Sequence, residues 1–315
     1  MSAFVTGPTG EPVQAALALR DGTAVVELAE ASGIRRLPGG RRDPLGATSR
    51  GTGELLAAAL DRGCDSIVLG VGGSASTDGG AGLLQALGAR LLDEDDEPIG
   101  SGGGSLGSLK TVDLTGLDPR LREVQLVLAS DVDNPLLGPQ GAAAVYAGQK
   151  GASPGQIREL ERGLAHWAEL IARAVDADRS GDPGAGAAGG VGFAAMAVLG
   201  AQMRPGVDLV LELIDFAALL PGARLVITGE GALDGQSLRG KAPIGVASAA
   251  TRAGVPTVAV VGTSALSDAA AAAAGLRGVF SLASIEPDPA VSIRDAGPLV
   301  ERVVNEQVAP QWLAS

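Results

Sequence analysis

Histidine and cysteine are all but missing from this chain: among 315 residues, His166 and Cys64 are the only ones. A Ser–His–Asp triad or a multi-histidine metal centre would have to use His166, which sits inside the helical pattern SPGQIRELERGLAHWAELIARAV with no partner motif near it. Acid–base work therefore falls to Asp, Glu or Lys. A single thiol builds no disulfide framework and suits a reducing, cytoplasmic setting. Aromatic residues make up only 2% of the chain, so the core must be assembled from Ala, Val, Leu and Ile. Positive charge is also short: the net charge is −12 with no basic run, which excludes nucleic acid and anionic membranes as expected partners. Apolar runs are broken by Gly, Asp and Arg, and the opening MSAFVTGPTGEPV has neither a basic nor an apolar leader region. No transmembrane helix or signal peptide is expected.

What is abundant is glycine, with 48 residues gathered in clusters. Clustered glycine marks loops where the backbone must approach something closely. Strand-length apolar runs alternate with helical patterns. Thr23–Leu28, Ser66–Val71 and Gln125–Ala129 read as strands, and Gly53–Asp61 and Gly82–Leu87 as helices. Ser153, followed by Pro154 and with Gln156 three positions on, opens a capping box for a long helix through Val175. From about Leu209 the rhythm is βαβ: strands at Arg224–Thr228, Thr257–Val261 and Gly278–Leu282, with helices at Ile244–Ala253 and from Asp268. This predicts an α/β fold with a parallel sheet covered on both faces, its ligands at the carboxyl ends of the strands, in loops starting at Gly229 and Gly262. Arg204–Pro205–Gly206 marks a boundary, giving domains 1–205 and 206–315.

Four loops can carry chemistry. Gly70–Gly80 (GVGGSASTDGG) lies between a buried strand and a helix, where backbone amides can converge on an anion. A tight connection with a capping Asp78 explains the same residues equally well. Thr228–Lys241 (TGEGALDGQSLRGK) gathers Glu230, Asp234, Gln236, Arg239 and Lys241, acids for a metal and bases for phosphate. Its end imitates a Walker A loop, but Ala242 replaces the magnesium-binding Ser/Thr, so a true P-loop is rejected. Gly184–Gly190 (GAGAAGG) holds a GxGxxG string with no strand before it, which weakens a dinucleotide reading. In Ser130–Leu136 (SDVDNPL), Asp131 and Asp133 can ligate magnesium or simply form a turn.

Taken in order, these loops resemble the class-one bacterial glycerate kinase family. That family carries Gly-Gly-Ser-Ala-Thr-Asn-Asp-Gly-Gly where this chain has Gly72–Gly80 (GGSASTDGG), and a Thr-Gly-Glu-Gly loop continuing to Asp, Gln and Gly-Lys where it has Thr228–Lys241. Gly51–Leu55 (GTGEL), Asp131–Leu136 (DVDNPL), Gln149–Ala152 (QKGA), Gly184–Gly190 and Pro243–Ala247 (PIGVA) also fit. The resemblance implies an ATP- and Mg2+-dependent kinase that phosphorylates glycerate, 2-phosphoglycerate before 3-phosphoglycerate. It implies two α/β lobes, a Rossmann-like parallel-sheet lobe and a second, inserted lobe, with the site in the cleft between them. Residues 1–205 then correspond to the inserted lobe and 206–315 to the Rossmann-like lobe.

The implied catalytic residues are Asp78, Asp234 and Lys241, with nucleotide bound by Gly72, Gly73, Ser74, Gly229, Glu230, Gly231 and Gln236. Arg239, Gly186 and Gly189 are implied for substrate, and Asp131 and Asp133 for metal. Two departures stand out. Ser76–Thr77 replace Thr-Asn, and the family's opening Asp-Ser-Phe-Lys-Gly-Ser loop and later Asp-Gly-Gly-Glu-Gly-Thr segment do not occur. The expectation is an incomplete Rossmann-like lobe that exposes sheet and self-associates. The rival readings are a degenerate relative without turnover and a nicotinamide-dependent enzyme using Gly184–Gly190.

Overall fold

Two kinds of strand, told apart by their burial, build the first of the chain's two units. The computed structural model describes residues 1–235, 237–239 and 241–312, and the chain divides into Met1–Arg204 and Pro205–Ser315. The strands of the first unit are β1 (Ser2–Thr6), β2 (Pro12–Arg20), β3 (Thr23–Glu27), β4 (Ser66–Gly70), β5 (Arg90–Leu92), β6 (Thr111–Asp113), β7 (Gln125–Ala129) and β8 (Gln202–Arg204). Six of them form one sheet in the order β1-β2-β3-β4-β7-β8, and β5 pairs with β6 separately. In β2 burial alternates at Ala15 and Leu17, as expected where one sheet face meets water. In β4 and β7 three successive central residues are buried, as in strands covered on both faces. Pairing follows suit: β1–β2 and β2–β3 are antiparallel, whereas β3, β4, β7 and β8 run parallel.

The helices of this unit that matter for the site are α1 (Leu28–Ser32), α2 (Arg50–Leu60), α3 (Ala81–Ala86), α4 (Pro154–Val175) and α5 (Val191–Ala197). The capping box forms as read: Ser153 and Gln156 exchange side-chain and backbone hydrogen bonds at the start of α4. Leu160, Leu164, Trp167 and Ile171 recur at helical spacing and are fully buried. At about 1.5–3 kcal/mol for each large apolar side chain buried, this stripe rather than intrinsic propensity holds α4 on the unit. The N-terminal hairpin β1–β2 was not legible in the sequence. The strand read as Thr23–Leu28 stops at Glu27, because Leu28 turns inward as the first residue of α1.

In the second unit α6 (Gly206–Leu213) and α7 (Phe216–Leu219) precede β9 (Val226–Leu233), α8 (Ala242–Arg252), β10 (Thr257–Ser264), α9 (Asp268–Ala273) and β11 (Leu276–Ser281). The sheet is parallel in the order β11-β10-β9. Strand β10 is central and buried over its first five residues, and Ile227 on β9 is 43% exposed. Helical turns after Pro289 bring Val303 and Val308 onto Val258 and Val260. The structure corrects one expectation here. Gly229–Gly231 and Gly262 are not loop: β9 and β10 stay paired as far as Leu233 and Ser264. A Cβ on Gly229 would lie 2.4 Å from the Val260 carbonyl oxygen, so these glycines permit close strand approach and the turn comes later, at Asp234.

Candidate active site

Because β4 and β7 are parallel neighbours, their carboxyl ends bring two of the sequence-selected loops to one edge of the first unit. A cavity of about 610 Å3 opens there. Val71–Ser74 form one wall and Ala129–Val132 the next, with Arg42, Tyr146, Gln149, Lys150, Ala187 and Ala188 completing it. Gly72, Gly73, Ser74 and Asp131 are thus brought together. The loop after β4 is stitched down rather than loose. Ile34 N–H donates to Gly73 O at 2.9 Å, Ala75 N–H to Ser32 O at 2.9 Å, and Gly79 N–H to Gly189 O at 3.0 Å.

Asp78 is fully buried and does not line the cavity. Its Oδ2 accepts from Ser49 N (2.7 Å), Ser49 Oγ (2.8 Å), Thr48 Oγ1 (3.5 Å) and Gly82 N (3.3 Å), and its Oδ1 from Gly80 N (3.2 Å). A carboxylate so surrounded by donors pins the starts of α2 and α3. Ser76 and Thr77 are likewise fully buried, and their hydroxyls find no partner among the described residues. Gly186 and Gly189 pack against the protein: a Cβ would fall 2.3 Å from Pro135 O and 2.2 Å from Ser76 O. The part of that loop facing the cavity is Ala187–Ala188, and Ala188 is held at φ 53°. No strand immediately precedes Gly184, so the dinucleotide motif lacks its context.

Sequence reasoning assigned no role to Lys150, yet it is the most deeply set cation of the site. A π-helical turn at Ala143–Ala147 leads into the tight turn Gly148–Lys150, which Gly151 closes at φ 98°. That geometry carries Lys150 inward until it is 3% exposed. Its Nζ donates to Ser74 Oγ at 2.7 Å and to Ser76 O. Burial pushes the amine down to about 8, while the nearby Asp78 carboxylate pulls the other way. Tyr146, on the same π turn, donates to Asn134 Oδ1 at 2.6 Å, and burial, then Asp133, pushes its phenol up. The only signal in the sequence was the QKGA string, a lone lysine between small residues.

In the second unit Asp234 and Ser237 close a turn, Asp234 Oδ1 accepting from Ser237 N at 3.1 Å. Lys241 stands at the N-cap of α8, half-buried, and makes no side-chain cap bond. Glu230 Oε1 is buried without a partner among the described residues. Gln236 and the Arg239 side chain lie outside the described residues. Asp133 is exposed beside the first unit's cavity, and no cluster of three or more metal-ligating side chains occurs among the described residues. His166 is a helix residue whose Nε2 lies 2.7 Å from Leu109 O, and it does not line the first unit's cavity.

A family model described as the glycerate kinase family matches residues 1–313. The chain belongs to the glycerate kinase family. It is 48% identical over 280 residues to the glycerate kinase of Bacillus subtilis, an alignment covering 88% of this chain and 73% of that one. Identity to the glycerate 2-kinase of Escherichia coli is 49% over 263 residues, covering 83% and 69%. A solved structure from Salmonella typhimurium LT2, assigned as glycerate kinase 2, superposes with a TM-score of 0.78 at 45% identity and covers 89% and 73%. Identity at this level carries the fold with it, and the α/β architecture is that of the family. No described helix is long and apolar enough to cross a membrane.

Proposed function

We propose that this chain is an ATP-dependent kinase that phosphorylates glycerate, in the cytoplasm where ATP is supplied, with 2-phosphoglycerate as product. The observation that carries the reading is the family match over residues 1–313 together with relatives named glycerate kinases. The 2-position is favoured by the relative named glycerate 2-kinase. Phosphoryl transfer asks a protein chiefly to position reactants and neutralise charge, which is the chemistry these loops offer.

The cavity at the ends of β4 and β7 receives one reactant, oriented by Ser74, Ser130 and the backbone at Gly72–Gly73. Asp78 acts from behind, by fixing the loop that bears Ser74. Lys241 neutralises phosphate, and Asp234, on the turn closed by Ser237, contributes its carboxylate charge to the reacting groups. Asp131 and Asp133, both exposed at the rim of the cavity, fit Mg2+, which typically takes one or two carboxylates and leaves its other positions to water and to a phosphate held outside the cavity. When bound, the ion supplies charge neutralisation at the transferred phosphoryl group. A coupled assay of ADP release with glycerate, followed by 31P NMR of the product, tests the reading. Turnover giving a phosphorus signal coupled to the C2 proton is expected; absence of glycerate-dependent ADP release, or NAD reduction instead, refutes it.

A further inference from the structure

Lys150 holds a charge in a place where charge is expensive unless it is used. An ammonium has three donors. Two of them go to Ser74 Oγ and Ser76 O, and the third has no partner among the described residues although Lys150 lines the cavity. We infer that Lys150 binds the carboxylate of the small hydroxy acid in the first unit's cavity, and that the nucleotide's phosphates do not bind there. The inference rests on the glycerate kinase reading and assigns one of its two reactants to this cavity.

Access and donor count decide between the two anions. Arg42 and Lys150 face the cavity together with Asp131, while Asp78 stands behind Lys150 and Asp133 beside Tyr146. Lys150 is 3% exposed and offers one open donor, which a single planar carboxylate can meet and a bulky triphosphate cannot. One buried ammonium with an open donor matches a single carboxylate, which regains for the amine the partner that burial took away. Ser74, Ser130, Gln149 and the Tyr146 phenol remain as polar groups for a neighbouring hydroxyl. The wall at Ala188 keeps a left-handed backbone, φ 53° and ψ 36°, the kind of local strain that persists where the surroundings fix a site's shape.

The groups around Lys150 are Ser74 and Ser76 from the loop after β4 and Asp78 behind it, with Arg42, Asp131 and Tyr146 elsewhere in the cavity lining. Binding a carboxylate favours the ammonium, so the bound anion raises the pH at which Lys150 loses its proton. Affinity for glycerate accordingly falls by up to about tenfold per pH unit above pH 8, the value to which burial brings the free amine.

The chain has three lysines, Lys110, Lys150 and Lys241, so lysine labelled with 13C at Cε gives a spectrum that single variants can assign. Lys110→Arg changes an exposed side chain and identifies one signal; Lys241→Arg identifies another. In the intact protein the Lys150 signal should titrate near pH 8, shift on adding glycerate, and titrate higher when glycerate is saturating. Lactate, which keeps the carboxylate and the 2-hydroxyl, should shift the same signal; inorganic phosphate and ATP should not. Lys150→Met should raise the KM for glycerate about a hundredfold or more while leaving the KM for ATP within about twofold. If that variant does not fold, the wild-type titration still decides. A Lys150 signal indifferent to glycerate, or one that follows phosphate or ATP, overturns the inference. Should the signal follow glycerate and lactate without any turnover, the kinase reading fails and the carboxylate site stands. Normal turnover with an unmoved signal sinks the carboxylate site alone.

Discussion

Trp167 donates its indole N–H to the Gly79 carbonyl at 3.0 Å, across 88 residues of sequence. The ring lies against that glycine so closely that a Cβ on Gly79 would sit 2.5 Å from Cδ1. One side chain of α4 thereby fixes the end of the loop that forms the cavity. Trp167→Phe keeps most of the apolar volume but leaves a buried carbonyl unsatisfied. It should cost about 1–3 kcal/mol in a denaturant melt. Gly79→Ala, with φ 64° and the ring in the way, should cost more.

Asp78→Asn replaces acceptor Oδ2 or Oδ1 by an amide that presents hydrogens to donors. The variant should lose about 2 kcal/mol or more of stability as well as activity, because Ser49 and Gly82 lose their partner. A variant that melts like the wild type but is inactive would instead place this carboxylate in direct contact with a reactant.

Lys150 should make stability rise with pH. Its proton is held less tightly in the folded protein, at about 8 against an ordinary 10.5, so the unfolded chain binds more protons between those values. Unfolding free energy of the wild type relative to Lys150→Met should therefore increase from pH 8 towards 10.5, by at most about 1.4 kcal/mol per pH unit, and be flat below pH 8. A difference that is level across this range would show that the amine is not desolvated.

Gly72 and Gly189 should respond oppositely to alanine. Nothing lies within 4 Å of a Cβ on Gly72, so Gly72→Ala should fold normally, narrow the cavity and raise KM several-fold. Gly189→Ala meets Ser76 O at 2.2 Å from a backbone at φ 71° and should destabilise the fold by more than about 1 kcal/mol. Thermal melts and steady-state kinetics on the pair separate cavity wall from packing.

Lys241→Ala and Asp234→Asn should lower kcat about a hundredfold with unchanged melting. Lys241 makes no cap bond, and an asparagine oxygen can still accept from Ser237. Rates near wild type in both would leave the Thr228–Lys241 segment a structural one.

The sequence by itself determined the elements whose physics is local. The capping box at Ser153, the unbroken apolar runs of β4 and β7, and the glycine loop between β4 and α3 follow from neighbouring residues alone. It also determined family membership, because ordered short motifs do not depend on how they pack. Tertiary structure decided which motif residues face the cavity. Asp78, Gly186 and Gly189 read as site residues but are turned into the protein, since short loops pressed against one another must satisfy their own backbone before anything else. Glycines at Gly229 and Gly262 signalled turns and proved to allow strands to touch. Lys150 carried no local signal beyond its place in the QKGA string. Only the packing of its turn beneath the loop after β4 takes an ordinary lysine out of water and leaves it facing the cavity.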